Sequence, residues 1–192
     1  MAMENTAEMN LSRHFLVAMP SLTDPIFARS LILICEHTAA GAMGVILNRP
    51  LGMNLQTLFE QIELELHRPD VVDLPVHFGG PVQTDRGFIL HCPLGSWQAS
   101  LPVSDELGLT TSRDILTAVG EGGGPEQMLV ALGFAGWEAG QLEKEIAENS
   151  WLTVPMDDMK ILFEVPSDER YEAALALLGI DVAMLSKDAG HA

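Results

Sequence analysis

Three stretches of the chain are apolar nearly throughout, and they constrain the fold more than any other feature. They read "SLILICEH" (30–37), "MGVILNRP" (43–50) and "MLVALGF" (128–134). Successive side chains of a strand point to opposite faces of a sheet, so a strand that is apolar at every position is buried on both faces. The chain is therefore predicted to form a sheet covered by other layers. The short turn between the first two stretches favours an antiparallel pair.

Four helices are predicted from apolar residues at helical spacing. Their predicted starts are Asn54, Thr111, residue 140 and Ser167. Asn54 and Ser167 are residue types that cap helices, and Thr111 with Asp114 three residues later approximates a capping box. About six strands and four helices, with short links in the first half and strand–helix alternation in the second, predict a mixed α+β fold. The expected architecture is a mixed sheet covered by helices.

The charge of the chain limits its partners. The 192 residues include 27 acidic and 10 basic side chains, which gives a net charge of -17. A surface this negative repels phosphate backbones, and the basic residues are scattered one at a time. Direct binding of nucleic acid is therefore not expected. No apolar run reaches the roughly 18 residues needed to cross a bilayer, so we expect a cytoplasmic protein with no membrane partner.

The two cysteines, Cys35 and Cys92, lie far apart and show no C-x-x-C spacing, which suits a reducing compartment. Cys35 and His37 share one face of a predicted strand, and His91 precedes Cys92. An activated thiolate or a zinc site could be built from such residues. The spacing fits neither, so ordinary half-buried side chains are the favoured interpretation. No metal, no cofactor and no catalytic residue is predicted, and whether the chain is an enzyme stays open.

The stretch "FGGPVQTDRGFILHC" (78–92) places two glycines before a proline and an arginine. A phosphate-binding loop needs converging backbone N–H groups at the start of a helix. Here Pro81 has no N–H and strand-like residues follow, so this type of loop is disfavoured.

The favoured interpretation of this stretch is a hairpin. Residues 84–87 suit a tight turn, with Gly87 free to adopt a positive φ, between short strands at 75–82 and 87–91. The alternative is a ligand-binding corner formed by Asp85 and Arg86.

The segment "TTSRD" (110–114) offers a second possible anion site. A helix start exposes N–H groups and the positive end of a dipole, and hydroxyls and a guanidinium surround it here. The alternative is that the hydroxyls only cap the helix. A shared cleft of these segments with Asn48 and Arg49 would bind a small anion. The candidate ligand-binding residues are Asn48, Arg49, Asp85, Arg86, Thr111, Ser112 and Arg113.

Several blocks of the sequence resemble, in order and spacing, the AlgH/YqgE family. They are "HFLVAMPSLTDPIFARSLILICEH", "GAMGVILNRP", "GGPVQTDRGFILH", "TTSRDIL", "VALGFAGWEAGQLEKEIAENSWL" and "ILFEVPSDERYEAAL". The resemblance covers about residues 11–180. Phe134 stands where tyrosine is common and Tyr171 where tryptophan is common. The resemblance implies an α/β fold: a single three-layer domain with a mixed, largely antiparallel, strongly coiled and bifurcated sheet between helices.

The resemblance also bears on function. It implies a bacterial cytosolic protein of a family without an established enzymatic activity, whose name refers to a proposed role in regulating alginate synthesis. The charge of the chain would make any role in transcriptional regulation indirect, through a protein partner. We therefore expect a non-catalytic regulatory or interaction protein. The alternative is a protein or enzyme that binds a phosphate or nucleotide near Asp85, Arg86 and residues 110–114.

The domain limits predicted from the sequence are simple. Residues 1–10 are expected to form a flexible leader, residues 11–180 a single domain, and residues 181–192 a disordered tail.

Overall fold

The computed structural model describes residues 9–189, with side chains described up to residue 185. Its ten strands are His14–Ala18 (β1), Leu31–Thr38 (β2), Gly41–Ile46 (β3), Pro50–Asn54 (β4), Pro75–Phe78 (β5), Val82–Cys92 (β6), Ser100–Pro102 (β7), Gly108–Thr110 (β8), Gln127–Glu138 (β9) and Trp151–Pro155 (β10). Its α-helices are Leu55–Gln61 (α1), Asp114–Gly120 (α2), Gln141–Ala147 (α3), Lys160–Phe163 (α4), Arg170–Ala176 (α5) and Val182–Ala189 (α6). A 3-10 helix, Ser167–Glu169, precedes α5.

The strands form one mixed sheet in which antiparallel neighbours dominate. The main order is β10-β1-β2-β3-β9-β6-β8-β7, and every neighbouring pair in it is antiparallel. Strand β5 is parallel to β9 and antiparallel to β4. The predicted fold class and the predicted antiparallel pairing of β2 with β3 are both confirmed.

Both faces of the sheet are covered, as the apolar stretches predict. Phe15, Leu31 and Leu33 pack on the face covered by α4, α5 and α6. Leu16 and Ile32 point the other way, toward Trp137, Trp151 and α3. Alternate residues of the same strands thus enter two separate cores. A third core forms where α1 and α2 pack on β6 and β9, and it includes Phe59, Ile115 and Val130.

Strand β9 is the point at which the sheet divides. One of its edges pairs with β6. Along the other edge, Val130 lies opposite Val76 of β5, and Ala135 lies opposite Gly44 of β3. Two different strands therefore share one edge of β9, which produces the bifurcation.

The predicted hairpin at residues 75–91 is wrong. Strands β5 and β6 lie on opposite edges of β9, so the chain between them crosses that strand. A Cβ on Gly79 would lie 2.2 Å from the carbonyl oxygen of Gly133, and one on Gly80 would lie 2.1 Å from the carbonyl carbon of Phe134. Only glycine permits backbones to approach this closely. The two glycines therefore allow the chain to cross β9. No local pattern in the sequence predicts this crossing.

Residues 84–87 do not form the predicted hairpin turn. Val82 pairs with Phe134 and Gly87 pairs with Leu132, so the four residues 83–86 face the one residue Gly133. Residues 83–86 form a large bulge in β6, and Gln83 in this bulge has a φ of 50°. We call residues 81–86, the bulge with the two residues before it, the β6 protrusion.

The predicted helix starts have mixed outcomes. Asn54 does cap α1, since its Oδ1 accepts a hydrogen bond from the Thr57 N–H at 2.9 Å. The capping box of Thr111 is not formed: α2 begins at Asp114, whose carboxylate accepts hydrogen bonds from the N–H groups of Gln98 and Ile115. Tertiary contact with the loop before β7 has replaced the local pairing.

Two further boundaries differ from the prediction. Ser167 lies inside the 3-10 helix and its side chain faces His77, so it caps no helix. Within the tail predicted to be disordered, Val182–Ala189 forms helix α6 and Leu185 is buried. Residues 1–8 of the predicted leader and 190–192 of the tail lie outside the described residues. None of the helices within residues 9–189 has the length and apolar character required to span a membrane.

Candidate functional site

The structure brings two of the predicted site residues into contact. Arg86 Nη2 donates a hydrogen bond to Thr111 Oγ1 at 3.1 Å, and Arg86 Nη1 lies 3.4 Å from Gln83 Oε1. The β6 protrusion therefore rests against the link between β8 and α2. Asp85 is exposed beside this contact.

The Ser112 hydroxyl forms hydrogen bonds within the protein. Its Oγ accepts a hydrogen bond from the Ala99 N–H at 3.0 Å and donates one to the Asp114 carboxylate at 2.5 Å. The Ser112 hydroxyl, followed by backbone N–H groups, lowers the pKa of Asp114 below its ordinary value. The Asp114 carboxylate therefore accepts the hydrogen bonds that the alternative interpretation assigned to an anionic ligand.

The remaining predicted residues bind the backbone of other segments. Arg113 Nη2 donates to the Ile62 carbonyl at 2.9 Å, at the end of α1. Arg49 donates to the Ala28 carbonyl. Asn48 accepts from the Leu31 N–H and donates to the Arg29 carbonyl, both at 2.9 Å. Arg49 and Asn48 therefore fix the loop before β2, while Arg113 fixes the end of α1.

A buried polar cluster that the sequence did not predict lies between β5 and α5. We call it the Arg170 cluster: Arg170, His77 and Ser167. His77 Nδ1 lies 3.3 Å from the Val130 carbonyl oxygen, which can only accept, so Nδ1 carries the proton. Nε2 then accepts from the Ser167 hydroxyl at 2.8 Å and from Arg170 Nη1 at 3.0 Å.

The cluster has the outline of a nucleophilic serine with its base, but its electrostatics oppose that chemistry. Burial, followed by the charge of Arg170, lowers the pKa of His77 to about 4. An imidazole with a pKa this low has little tendency to take up a proton at neutral pH, so it is a weak general base. Burial also lowers the pKa of Arg170 to about 10, so the guanidinium stays charged. The arrangement stabilises a neutral imidazole.

Arg170 also joins several segments through their backbones. Its guanidinium donates hydrogen bonds to the carbonyl oxygens of Leu47, Ile161, Leu162 and Val165. Ser167 and His77 are 90 positions apart, so no motif could reveal their contact. In the sequence, the one indication of this cluster is a histidine, His77, within an apolar strand.

The two other buried histidines are similarly occupied. His91 Nδ1 faces the Pro93 carbonyl at 3.0 Å, and its Nε2 lies 2.7 Å from Thr110 Oγ1. His37 Nδ1 accepts from the Leu11 N–H at 2.9 Å, and its Nε2 pairs with Glu143.

The surroundings of Cys35 do not favour the alternative of an activated thiolate, because the side chain is buried and its Sγ faces the Leu33 carbonyl. Burial, followed by the charge of Glu36, raises the pKa of Cys35 to about 12, so the thiol stays protonated. Cys35 and Cys92 are both free thiols. Among the side chains of residues 9–185, no three histidine, cysteine or acidic groups are placed so that they could hold a metal ion.

Comparison with known proteins identifies the family. A family profile described as AlgH-like matches residues 15–183. The chain belongs to the AlgH-like family. A UPF0301 protein of Chromobacterium violaceum is 58% identical over 184 residues, which are 96% of this chain and 98% of the relative. A UPF0301 protein of Azoarcus sp. is 55% identical over 188 residues, 98% of this chain and all of the relative.

Solved structures of similar proteins agree with the fold. The solution structure of the AlgH protein from Pseudomonas aeruginosa has a TM-score of 0.77 and 46% identity, and the match covers 99% of this chain and 100% of that one. A crystal structure of a protein from Corynebacterium diphtheriae has a TM-score of 0.67 at 23% identity, covering 86% and 85%. The second similarity supports the AlgH-like fold alone.

Proposed function

We propose that this AlgH-like protein acts in the cytoplasm as a non-catalytic interaction protein, and that the β6 protrusion contacts a protein partner. The observation that carries the proposal is the exposure of residues 81–86: all six are exposed, on a segment held at Val82 and at Gly87 by pairing with β9. A surface that is already shaped loses little conformational entropy when a partner binds.

The composition of the protrusion suits a protein partner. Val82 is 38% exposed at one end, and Arg86 presents a guanidinium at the other. Exposed apolar groups and arginines contribute strongly to protein interfaces. The net charge of -17 favours a protein over a nucleic acid. A partner that itself acts in gene regulation would connect this surface with the regulatory role that the family resemblance implies.

Site-specific crosslinking tests the proposal. A photo-reactive amino acid at Thr84 is expected to capture a protein that the same group at the exposed Glu121 does not capture. The captured protein is then purified and titrated calorimetrically. We expect Arg86→Ala and Val82→Asp to weaken its binding about tenfold or more, and Arg113→Ala to leave the affinity unchanged. Equal capture at both positions, or unchanged affinity in the Arg86 and Val82 variants, would refute the proposal.

A second candidate function rests on the contact between Arg86 and Thr111. A guanidinium beside a hydroxyl can bind a phosphate or nucleotide. A thermal-shift screen with inorganic phosphate and nucleotides separates the two candidates. If a ligand raises the melting temperature by several degrees, and Arg86→Ala stays folded but abolishes this rise, the anionic ligand is favoured. If no ligand raises the melting temperature, the interaction with a protein partner is favoured.

A further inference from the structure

A pocket at the end of β1 has the features of a small-molecule site. It lies between the loop that follows β1 and helices α5 and α6, and its volume is about 360 Å³. Pockets for small organic ligands begin at about this size. Neither the β6 protrusion nor the Arg170 cluster contributes a residue to its lining.

Most of the residues that line the pocket have apolar side chains, and polar atoms of Thr23, Arg29 and the backbone share its surface. Met19, Leu22 and Ala28 line it from the loop, and Leu185 lines it from α6. The ring of Tyr171 forms another wall. The Tyr171 hydroxyl donates to the Ala18 carbonyl at 2.5 Å, so the ring presents an apolar face to the pocket while its polar end is satisfied.

Among the described residues that line the pocket, Arg29 is the one cation. Its guanidinium carbon lies 5.8 Å from the centroid of the Tyr171 ring. Contact with an aromatic face leaves the N–H edge of a guanidinium available. None of the three ion pairs in the described part of the chain includes Arg29, although the chain has 27 acidic side chains.

The backbone at Arg29 is held in an unusual conformation. Its φ is 59°, in the left-handed region that residues with a side chain seldom adopt. The Arg29 carbonyl accepts a hydrogen bond from Asn48 Nδ2 at 2.9 Å, and the neighbouring Ala28 carbonyl accepts one from Arg49. Strained backbone that the surroundings enforce is common at ligand sites. Asn48 and Arg49 thus act as positioning residues for Arg29.

We propose that this pocket binds a small apolar carboxylic acid, with the carboxylate on the N–H edge of Arg29 and the apolar body between Tyr171, Leu22 and Leu185. A guanidinium matches a carboxylate through two parallel hydrogen bonds. One guanidinium beside several apolar side chains suits one carboxylate on an aliphatic or aromatic body, whereas a nucleotide needs several donors for its phosphates and sugar. The site is separate from the β6 protrusion, so either proposal can fail without the other.

The test uses the full chain and 4-phenylbutyrate, with 4-phenylbutyramide as the uncharged analogue. Tyr171 is the one tyrosine of the chain, so incorporation of 3-fluorotyrosine places a single fluorine label in the pocket wall. We expect the acid to bind saturably at one site by calorimetry and to shift this fluorine resonance along the same binding curve. The amide is expected to bind about tenfold more weakly or worse, because it cannot form the charged pair.

Arg29→Gly is the decisive variant. Glycine adopts a positive φ without strain, so the variant should stay folded with an unchanged or higher melting temperature. It should lose acid binding at least about tenfold, while Arg29→Lys retains part of it and Arg86→Ala retains all of it.

Several results would overturn the proposal. They are equal binding of acid and amide, undiminished binding by folded Arg29→Gly, binding without a shift of the Tyr171 fluorine, and no binding of the acid up to about 10 mM. Binding of a peptide with a free C-terminal carboxylate, but of no small acid, would assign the pocket to a protein partner instead.

Discussion

Arg170 and Arg86 show how the same side chain serves two regions of this molecule differently. Each lies near a hydroxyl residue, Ser167 in one case and Thr111 in the other. Arg170 is 7% exposed and donates to four backbone carbonyls and His77. Arg86 is exposed and donates hydrogen bonds to the side chains of Gln83 and Thr111.

Burial explains the difference. A carbonyl removed from water must find a donor, so the chain segments around Arg170 depend on it for their hydrogen bonds. At Arg86 water can replace either protein partner. The comparison teaches that an arginine bound to buried backbone fixes structure, whereas one at the surface remains available to a partner.

The largest expected effect is that of Arg170→Leu. The substitution leaves four carbonyls without their Arg170 donor and His77 Nε2 with the Ser167 hydroxyl alone, so we expect the free energy of unfolding to fall by about 3–5 kcal/mol. Urea denaturation measures this. Arg170→Lys keeps the charge but cannot reach several carbonyls at once, and should recover only part of the loss. A loss below about 1 kcal/mol would show that the cluster is not essential to the fold.

A smaller effect is expected from acid. The pKa of His77 is lowered in the folded protein from its ordinary 6.5 to about 4. The unfolded chain therefore binds a proton in this range that the folded chain does not. The stability that the neutral imidazole contributes is complete above pH 6.5 and is lost as the pH falls to about 4, by up to about 3 kcal/mol.

Urea denaturation at a series of pH values isolates this contribution. Carboxylates, and His91, whose pKa burial also lowers, add their own pH dependence, so wild type is compared with His77→Gln. The variant should have a shallower dependence between pH 6.5 and 4. Parallel curves for the two proteins would contradict the electrostatic account of the Arg170 cluster.

The smallest expected effect on stability is that of Arg86→Ala. Because its contact with Thr111 is exposed, the free energy of unfolding should change by no more than about 0.5 kcal/mol. Thermal and urea denaturation measure this, with Thr111→Val as the matched variant. A loss above about 1 kcal/mol would show that this contact maintains the protrusion, and the contrast with Arg170 would weaken.

Local patterns predicted several elements well. The apolar stretches that became β2, β3 and β9 are buried on both faces, and Asn54 caps α1, because burial and capping depend on residues close in sequence. The short strands β7 and β8 were not predicted. Three residues are too few for an alternation of side chains to be recognised.

The contacts of the candidate site residues were predicted less well from the sequence. Arg86 and Thr111 do meet, but Arg49 and Arg113 bind separate carbonyl oxygens. Ligand binding by these residues stays a prediction. The Arg170 cluster and the Arg29 pocket join segments that are far apart in sequence, so neither has a motif.

The sequence alone determined the fold class, the family and the apolar layers, because each follows from local periodicity or from blocks of residues in order. The tertiary structure decided the course of "FGGPV" over β9. Gly79 and Gly80 fit a turn equally well as isolated residues. Only the backbone of Gly133 and Phe134, which leaves no space for a Cβ, makes them a crossing and places residues 81–86 on the surface.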